Sequence, residues 1–221
     1  MLVVSDVYTL PDLLARAVNE HPDSDIVVFP DSRTTFTELY ERASKAARSL
    51  KAIGIKQGDS VGILMSNCIE FVDLLLGSQL IGAIPVPINA RYKAKELAYV
   101  IDDAGLKVLA TTDRIVEHVD FVNLLQEAFP DLENQADPMR LELSEARNLN
   151  SIILFGERMP TGMLDTETFE TLSKNIDEEE IEISRSRLQV RDIAMMMYTS
   201  GTTANPKGSP ITHEALVRPA I

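Results

Sequence analysis

Between Tyr198 and Gly208 the chain reads YTSGTTANPKG. Thr199, Ser200, Thr202 and Thr203 offer hydroxyls, Gly201 and Gly208 permit backbone shapes that ordinary side chains forbid, and Lys207 adds a cation. Residues of these types at this spacing can wrap an anion. Polyphosphate carries several negative oxygens, and converging N–H groups and hydroxyls can replace their hydration shell while a lysine supplies a point charge. The pattern is not a Walker loop, which ends in Gly-Lys-Ser/Thr with a helix starting at once. Here Pro206 precedes Lys207 and Gly208 follows it, so the phosphates have to be held by a different geometry.

Such a loop must be aimed by the elements around it. Met195 to Tyr198 is an apolar run that reads as a buried strand opening onto a polar surface loop. Thr212 can cap a helix that follows, and a structural role is expected for His213. Upstream, TFTELYERASKAARSLKAIG predicts the clearest helix. Thr35 and Glu38 form a capping box, apolar positions recur at Leu39, Ala43, Ala46, Ala47, Leu50 and Ile53, and Gly54 suits a left-handed C-cap. Val61 to Met65 and AIPVPI read as strands flanking a helix that Ser66 or Asn67 caps and that runs to about Leu80. A helix over Ala94 to Asp103, ending at Gly105, and a strand at Lys107 to Thr111 continue the alternation. A mostly parallel sheet layered α/β/α is therefore expected. Asp25 to Phe29 reads as a short buried strand, Val119 to Phe129 as an amphipathic helix, and SIILF as a strand. The acidic run IDEEEIEI reads as a solvated surface with no chemistry assigned.

Composition narrows the function classes. At 221 residues and 45% hydrophobic, the chain can bury a sizeable core. A net charge of -13 argues against nucleic acid or anionic lipid as a partner, because both carry the same sign. The single cysteine, Cys68, excludes an intrachain disulfide, fits a reducing compartment, and reads as a small apolar residue early in a helix. The apolar stretch from Phe71 to Ile88 contains Asp73, Gln79, Pro85 and Pro87, so it reads as a helix turning into a strand and not as a membrane span. No signal peptide is read at the start of the chain, and a cytoplasmic location is expected.

On these residues the chain resembles the adenylate-forming superfamily of acyl-CoA synthetases, luciferases and peptide-synthetase adenylation domains. YTSGTTANPKG is similar to that family's phosphate-binding signature, and the stretch from Thr34 to Leu109 is similar to its N-terminal region. GAIPVPINARYKAKEL looks more like acyl- or aryl-CoA ligases than peptide-synthetase domains. The resemblance implies a two-step reaction. A carboxylate attacks the α-phosphate of ATP to give an acyl-adenylate and pyrophosphate, and the thiol of CoA then displaces AMP. It implies that Thr199, Ser200, Gly201, Thr202, Thr203 and Lys207 serve the β- and γ-phosphates, with Mg²⁺ bridging them. Ala204 stands where the family usually has glycine, and a Cβ costs roughly 1 to 2 kcal/mol if the loop is left-handed there. Ser209 and Pro210 also depart from the commoner pattern.

The resemblance further implies that the adenine site, the acidic magnesium ligand, the hinge and the catalytic lysine lie beyond Ile221. Residues 1–221 are thus expected to be a partial AMP-binding domain, truncated after the signature, without the C-terminal domain. No catalytic residue or metal ligand is assigned within it, it is expected to be inactive alone, and it is expected to self-associate through the uncovered face. Two other readings stand beside the ligase: a stand-alone nucleotide-binding or regulatory module without adenylation activity, and a merely polar loop in an α/β domain.

Overall fold

The computed structural model describes residues 9–114, 119–199 and 205–218. A parallel sheet of β3 (Ser60–Leu64), β4 (Ile84–Pro87), β5 (Leu106–Thr112), β6 (Ser151–Phe155) and β7 (Leu164–Asp165) runs in the order β4-β3-β5-β6-β7. Residues alternate between its faces. Val61, Ile63, Val108, Ala110 and Ile153 meet α2 (Phe36–Ala52), α3 (Ile69–Leu80), α6 (Thr166–Leu172) and α7 (Glu178–Ser186). Leu64, Val86, Leu109, Ile152 and Leu154 meet α4 (Ala94–Asp103) and α5 (Phe121–Ala128). Strands covered on both faces carry continuous apolar runs, and β3 is buried throughout. The layered α/β/α arrangement is the one the alternation of elements predicts.

The helix ends show how local the instructions are. Thr35 Oγ1 accepts from the Glu38 amide at 3.3 Å while Glu38 Oε2 accepts from the Thr35 amide at 2.9 Å, and Gly54 follows the helix at φ +93°. The first helix, α1 (Leu10–Glu20), starts with the same device, a capping box of Thr9 and Asp12. The cap of α3 differs from expectation. Its N-cap is Cys68, with no side-chain capping bond, in place of Ser66 or Asn67. Burial of that thiol pushes its pKa up to about 11, which suits a packed and unreactive residue.

One expectation fails for want of tertiary information. β1 (Asp25–Phe29) pairs antiparallel with β2 (Ser32–Thr35) in an outlying ribbon, so Ile26 and Val28 are 41% and 57% exposed and not buried. The acidic run is solvated as expected: it forms α7, whose Glu178, Glu179 and Glu180 are exposed, two of them beside basic residues of α2. Arg48 meets Glu178 at 3.6 Å and Lys51 meets Glu180 at 3.3 Å, while Ile181 is buried. Its acidic first turn complements the positive end of the helix macrodipole.

β4 is the sheet edge that matters for the loop. Its Ile84 and Ile88 amides donate inward to Asp59 and Ile63 carbonyls at 2.8 and 2.9 Å. Pro85 and Pro87, at the alternate positions, have no N–H to offer outward. β8 (Ile193–Thr199) lies alongside this edge but bonds instead to β9 (Lys207–Thr212), as an antiparallel hairpin. The last helix is α8 (His213–Val217).

Candidate phosphate-binding hairpin

The register of β8 and β9 brings the two described members of the predicted site together. Thr199 stands opposite Lys207 in the last described pair of the ladder, and both are exposed. Ser200, Gly201, Thr202 and Thr203, together with Ala204, lie outside the described residues. Among the described residues no carboxylate forms an ion pair with Lys207. An exposed cation with no acidic partner among the described residues, on a chain of net charge -13, is an attractor for an anionic ligand.

β8 is not the buried strand that its methionines suggest. Ala194 is buried, and Met196 and Tyr198 pack against the α4–α5 core, but Met197 is 38% exposed and Thr199 is exposed. The proline edge of β4 prevents β8 from continuing the sheet, so one face of the hairpin is covered and the other is open. The apolar run is a half-buried alternation that residue type alone conceals.

The hairpin is anchored by residues far away in sequence. Gln79 Nε2 donates to the Ala194 carbonyl at 2.9 Å, and Tyr198 Oη donates to Asp103 Oδ2 at 2.6 Å. Burial first, and the Asp103 bond second, push the Tyr198 phenol well above its ordinary pKa, so it remains a donor. Asp103 and Tyr99, whose hydroxyl donates to Asp103 Oδ1 at 3.2 Å, carry no motif that could have marked them. At the far end of β9, Thr212 Oγ1 accepts from the Ala215 amide at 3.3 Å, capping α8 as predicted. His213 is 1% exposed and its Nδ1 accepts from the Leu10 amide at 3.2 Å, a structural placement. Burial lowers its pKa, against the opposing pull of Asp192 and Asp12.

Elsewhere the cations of the main charged cluster are paired, though Glu70 Oε2 is buried with no hydrogen-bond partner among the described residues. A cavity of about 510 Å³ among α2, α3 and α6 is lined by Arg42, Lys45, Glu70, Asp73, Arg114 and Glu170 and by no hairpin residue. Its cations are spent on its own carboxylates: Arg42–Asp73 at 2.6 Å, Lys45–Glu170 at 2.5 Å, and Arg114–Glu70 at 3.2 Å. Among the described residues no group of three or more His, Cys, Asp and Glu is placed to hold a metal ion. No described helix is long and apolar enough to cross a membrane.

Comparison with known proteins agrees with this geometry. YngI of Bacillus subtilis (strain 168), named as an acyl-CoA synthetase, is 32% identical over 209 residues, covering 93% of this chain and 37% of its own length. The human medium-chain acyl-CoA ligase ACSF2, named as mitochondrial, is 30% identical over 192 residues, covering 87% and 31%. The crystal structure of the anthranilate CoA ligase AuaEII with anthranoyl-AMP superposes with a TM-score of 0.72 at 25% identity, over 94% of this chain and 35% of that one. The chain thus spans about a third of the length of the relatives it matches. The family model for AMP-binding enzymes matches residues 14–221, which takes in the sheet, its helices and the hairpin together, and the chain belongs to that family.

Proposed function

We propose that this chain supplies the phosphate-binding loop of an ATP-dependent acyl- or aryl-CoA ligase. The observation that carries the reading is the Thr199–Lys207 pair, a hydroxyl and an ammonium with no acidic partner among the described residues, held opposite each other where the hairpin opens. In this reading Thr199, Ser200, Gly201, Thr202, Thr203 and Lys207 bind the β- and γ-phosphates. Pyrophosphate leaves with growing negative charge, so donors that meet its oxygens lower the barrier without forming a bond. Mg²⁺ would arrive on the phosphate oxygens, a coordination that asks little of the protein. It would neutralise charge on the nucleotide.

The substrates in this reading are a carboxylic acid, ATP and CoA. Residues 1–221 are proposed as the N-terminal part of the AMP-binding domain. The supporting fact is that the chain covers only 31 to 37% of its relatives. Adenylation is assigned to the longer protein, with the 221 residues alone inactive, and a cytoplasmic site is proposed on the strength of the lone buried thiol of Cys68. The same coverage supports a second reading, a nucleotide-binding module that performs no adenylation.

Two measurements test these readings. ATP titration of the chain by calorimetry should show binding, and an isotherm with no heat removes both. Pyrophosphate release by a longer protein containing this chain, run with a panel of carboxylic acids, should depend on the acid. Binding without acid-dependent release selects the module.

A further inference from the structure

The signature hairpin is tied at its base and along its length by different residues. At the base, the His213 and Glu214 amides donate to the Asp192 and Val190 carbonyls at 3.1 and 2.8 Å, and Gln57 Nε2 reaches Asp192 Oδ2 at 3.1 Å. Nearer the open end, the ties among the described residues include the 2.6 Å bond from Tyr198 Oη to Asp103 Oδ2 and a hydrogen bond between Tyr99 and the Asn205 side chain. Tyr198 immediately precedes Thr199, and its register partner Gly208 immediately follows Lys207. A Cβ on Gly208 would lie 3.1 Å from both Cζ and Oη of Tyr198, closer than nearly all such contacts. Glycine at 208 thus leaves room for the phenol to cross the neighbouring strand on its way to Asp103.

Asp103 is poorly placed for its own helix. It is the last residue of α4, where the macrodipole is negative, and the final turn holds no basic residue to offset it. What its carboxylate does gain is two phenolic donors, Tyr198 on Oδ2 and Tyr99, one turn back, on Oδ1. Tyr99 turns the carboxylate, and the carboxylate holds Tyr198. The arrangement makes sense as a mooring for β8 and not as a device for α4.

We propose that Asp103 is a positioning residue for the phosphate loop. Through Tyr198 it fixes where Thr199 and Lys207 stand against the parallel sheet, and so sets the affinity for the triphosphate. This rests on the phosphate-binding reading of the hairpin. A loop held before the ligand arrives loses less freedom on binding, so releasing the tie weakens binding without touching a phosphate contact.

The test uses Asp103→Ala, Tyr198→Phe and Tyr99→Phe in the 221-residue chain, with amide hydrogen exchange of residues 195–198 and 208–212 read without ligand, ATP affinity by calorimetry, and the urea midpoint. Asp103→Ala and Tyr198→Phe should each speed hairpin exchange and weaken ATP by about tenfold, the worth of one hydrogen bond to a charged group. Tyr99→Phe, which keeps the Tyr198–Asp103 bond but gives up the Tyr99 bond to Asn205, should do less at residues 195–198. The urea midpoint of Asp103→Ala should fall only modestly, since the loss of two phenolic hydrogen bonds is offset in part by removing a charge from the wrong end of α4. Unchanged exchange in Asp103→Ala overturns the mooring. Faster exchange with unchanged ATP affinity overturns its link to binding. A wild-type chain that ignores ATP, with faster exchange in the variant, removes the phosphate reading and leaves the mooring standing.

Discussion

Lys207 and His213 share the segment that leads from the loop into α8, and their surroundings ask opposite things of charge. Lys207 is exposed with no acidic partner among the described residues, so its ammonium is available to a ligand. In a longer protein that adenylates, Lys207→Ala should slow pyrophosphate release by about a hundredfold, the loss seen for one donor aimed at developing charge. An unchanged rate would strip Lys207 of its role. His213 is buried neutral, with its pKa held below the ordinary 6.5 by burial. The unfolded chain therefore binds a proton there more readily than the folded one. The stabilisation is fully present above the unfolded pKa and is lost as pH falls through the folded value. Thermal midpoints should drop between pH 7.5 and 5 by more in the wild type than in His213→Asn, whose Oδ1 can still accept from Leu10. Equal drops would show that this imidazole does not titrate on unfolding. Of these residues the sequence exposed the chemistry of Lys207 and the cap at Thr212, because both are local. Asp103 was hidden, because its worth depends on a tyrosine 95 positions away.

At the level of helices and strands, legibility followed the range of the interaction. The bounds of α4 and the capping box of α2 could be read because they depend on residues within one turn of each other. The exposure of β1 and the open face of β8 could not, since each depends on what packs alongside. The contact between α2 and α3 shows how a tertiary constraint reverses a local rule. Gly77 lies inside α3, where alanine would raise helix propensity by about 1 kcal/mol. A Cβ there would sit 2.8 Å from the Ala43 carbonyl oxygen and 3.0 Å from Ala46 Cβ, against backbone that cannot swing aside. Overpacking costs about 1 to 3 kcal/mol, so Gly77→Ala should lower stability on balance, as read from urea denaturation. A more stable variant would mean that the helices separate freely. The neighbouring Arg42–Asp73 pair gives a second test. Burial raises the Asp73 pKa in spite of two bonds from Arg42, at 3.0 and 2.6 Å. The charged carboxylate is thus costly and depends on its partner. Arg42→Ala should destabilise the chain, by less than a fully buried pair would because Arg42 is 44% exposed, while Asp73→Asn, which removes the buried charge and keeps an acceptor, should cost less still. The reverse order in denaturation midpoints would contradict that account.

For the molecule as a whole, two opposing forces decide whether copies of the chain meet. The hairpin leaves Met197 38% exposed, and the β1–β2 ribbon leaves Ile26 and Val28 uncovered, so apolar surface is available to another copy. Against this stands a net charge of -13, which makes every copy repel every other at long range. Apolar burial acts at contact and is barely affected by moderate salt, whereas repulsion is screened beyond about 10 Å at 0.1 M and about 3 Å at 1 M. Association should therefore be weak in dilute buffer and should grow with ionic strength, in contrast to assembly through ion pairs, which salt would loosen. Light scattering over a range of protein and sodium chloride concentrations measures this directly. A scattering mass that rises with salt, and falls back when Met197 is replaced by serine, would place the contact on the hairpin's open face. A monomer at every salt and protein concentration would show that these patches are too small or too scattered to hold two copies together.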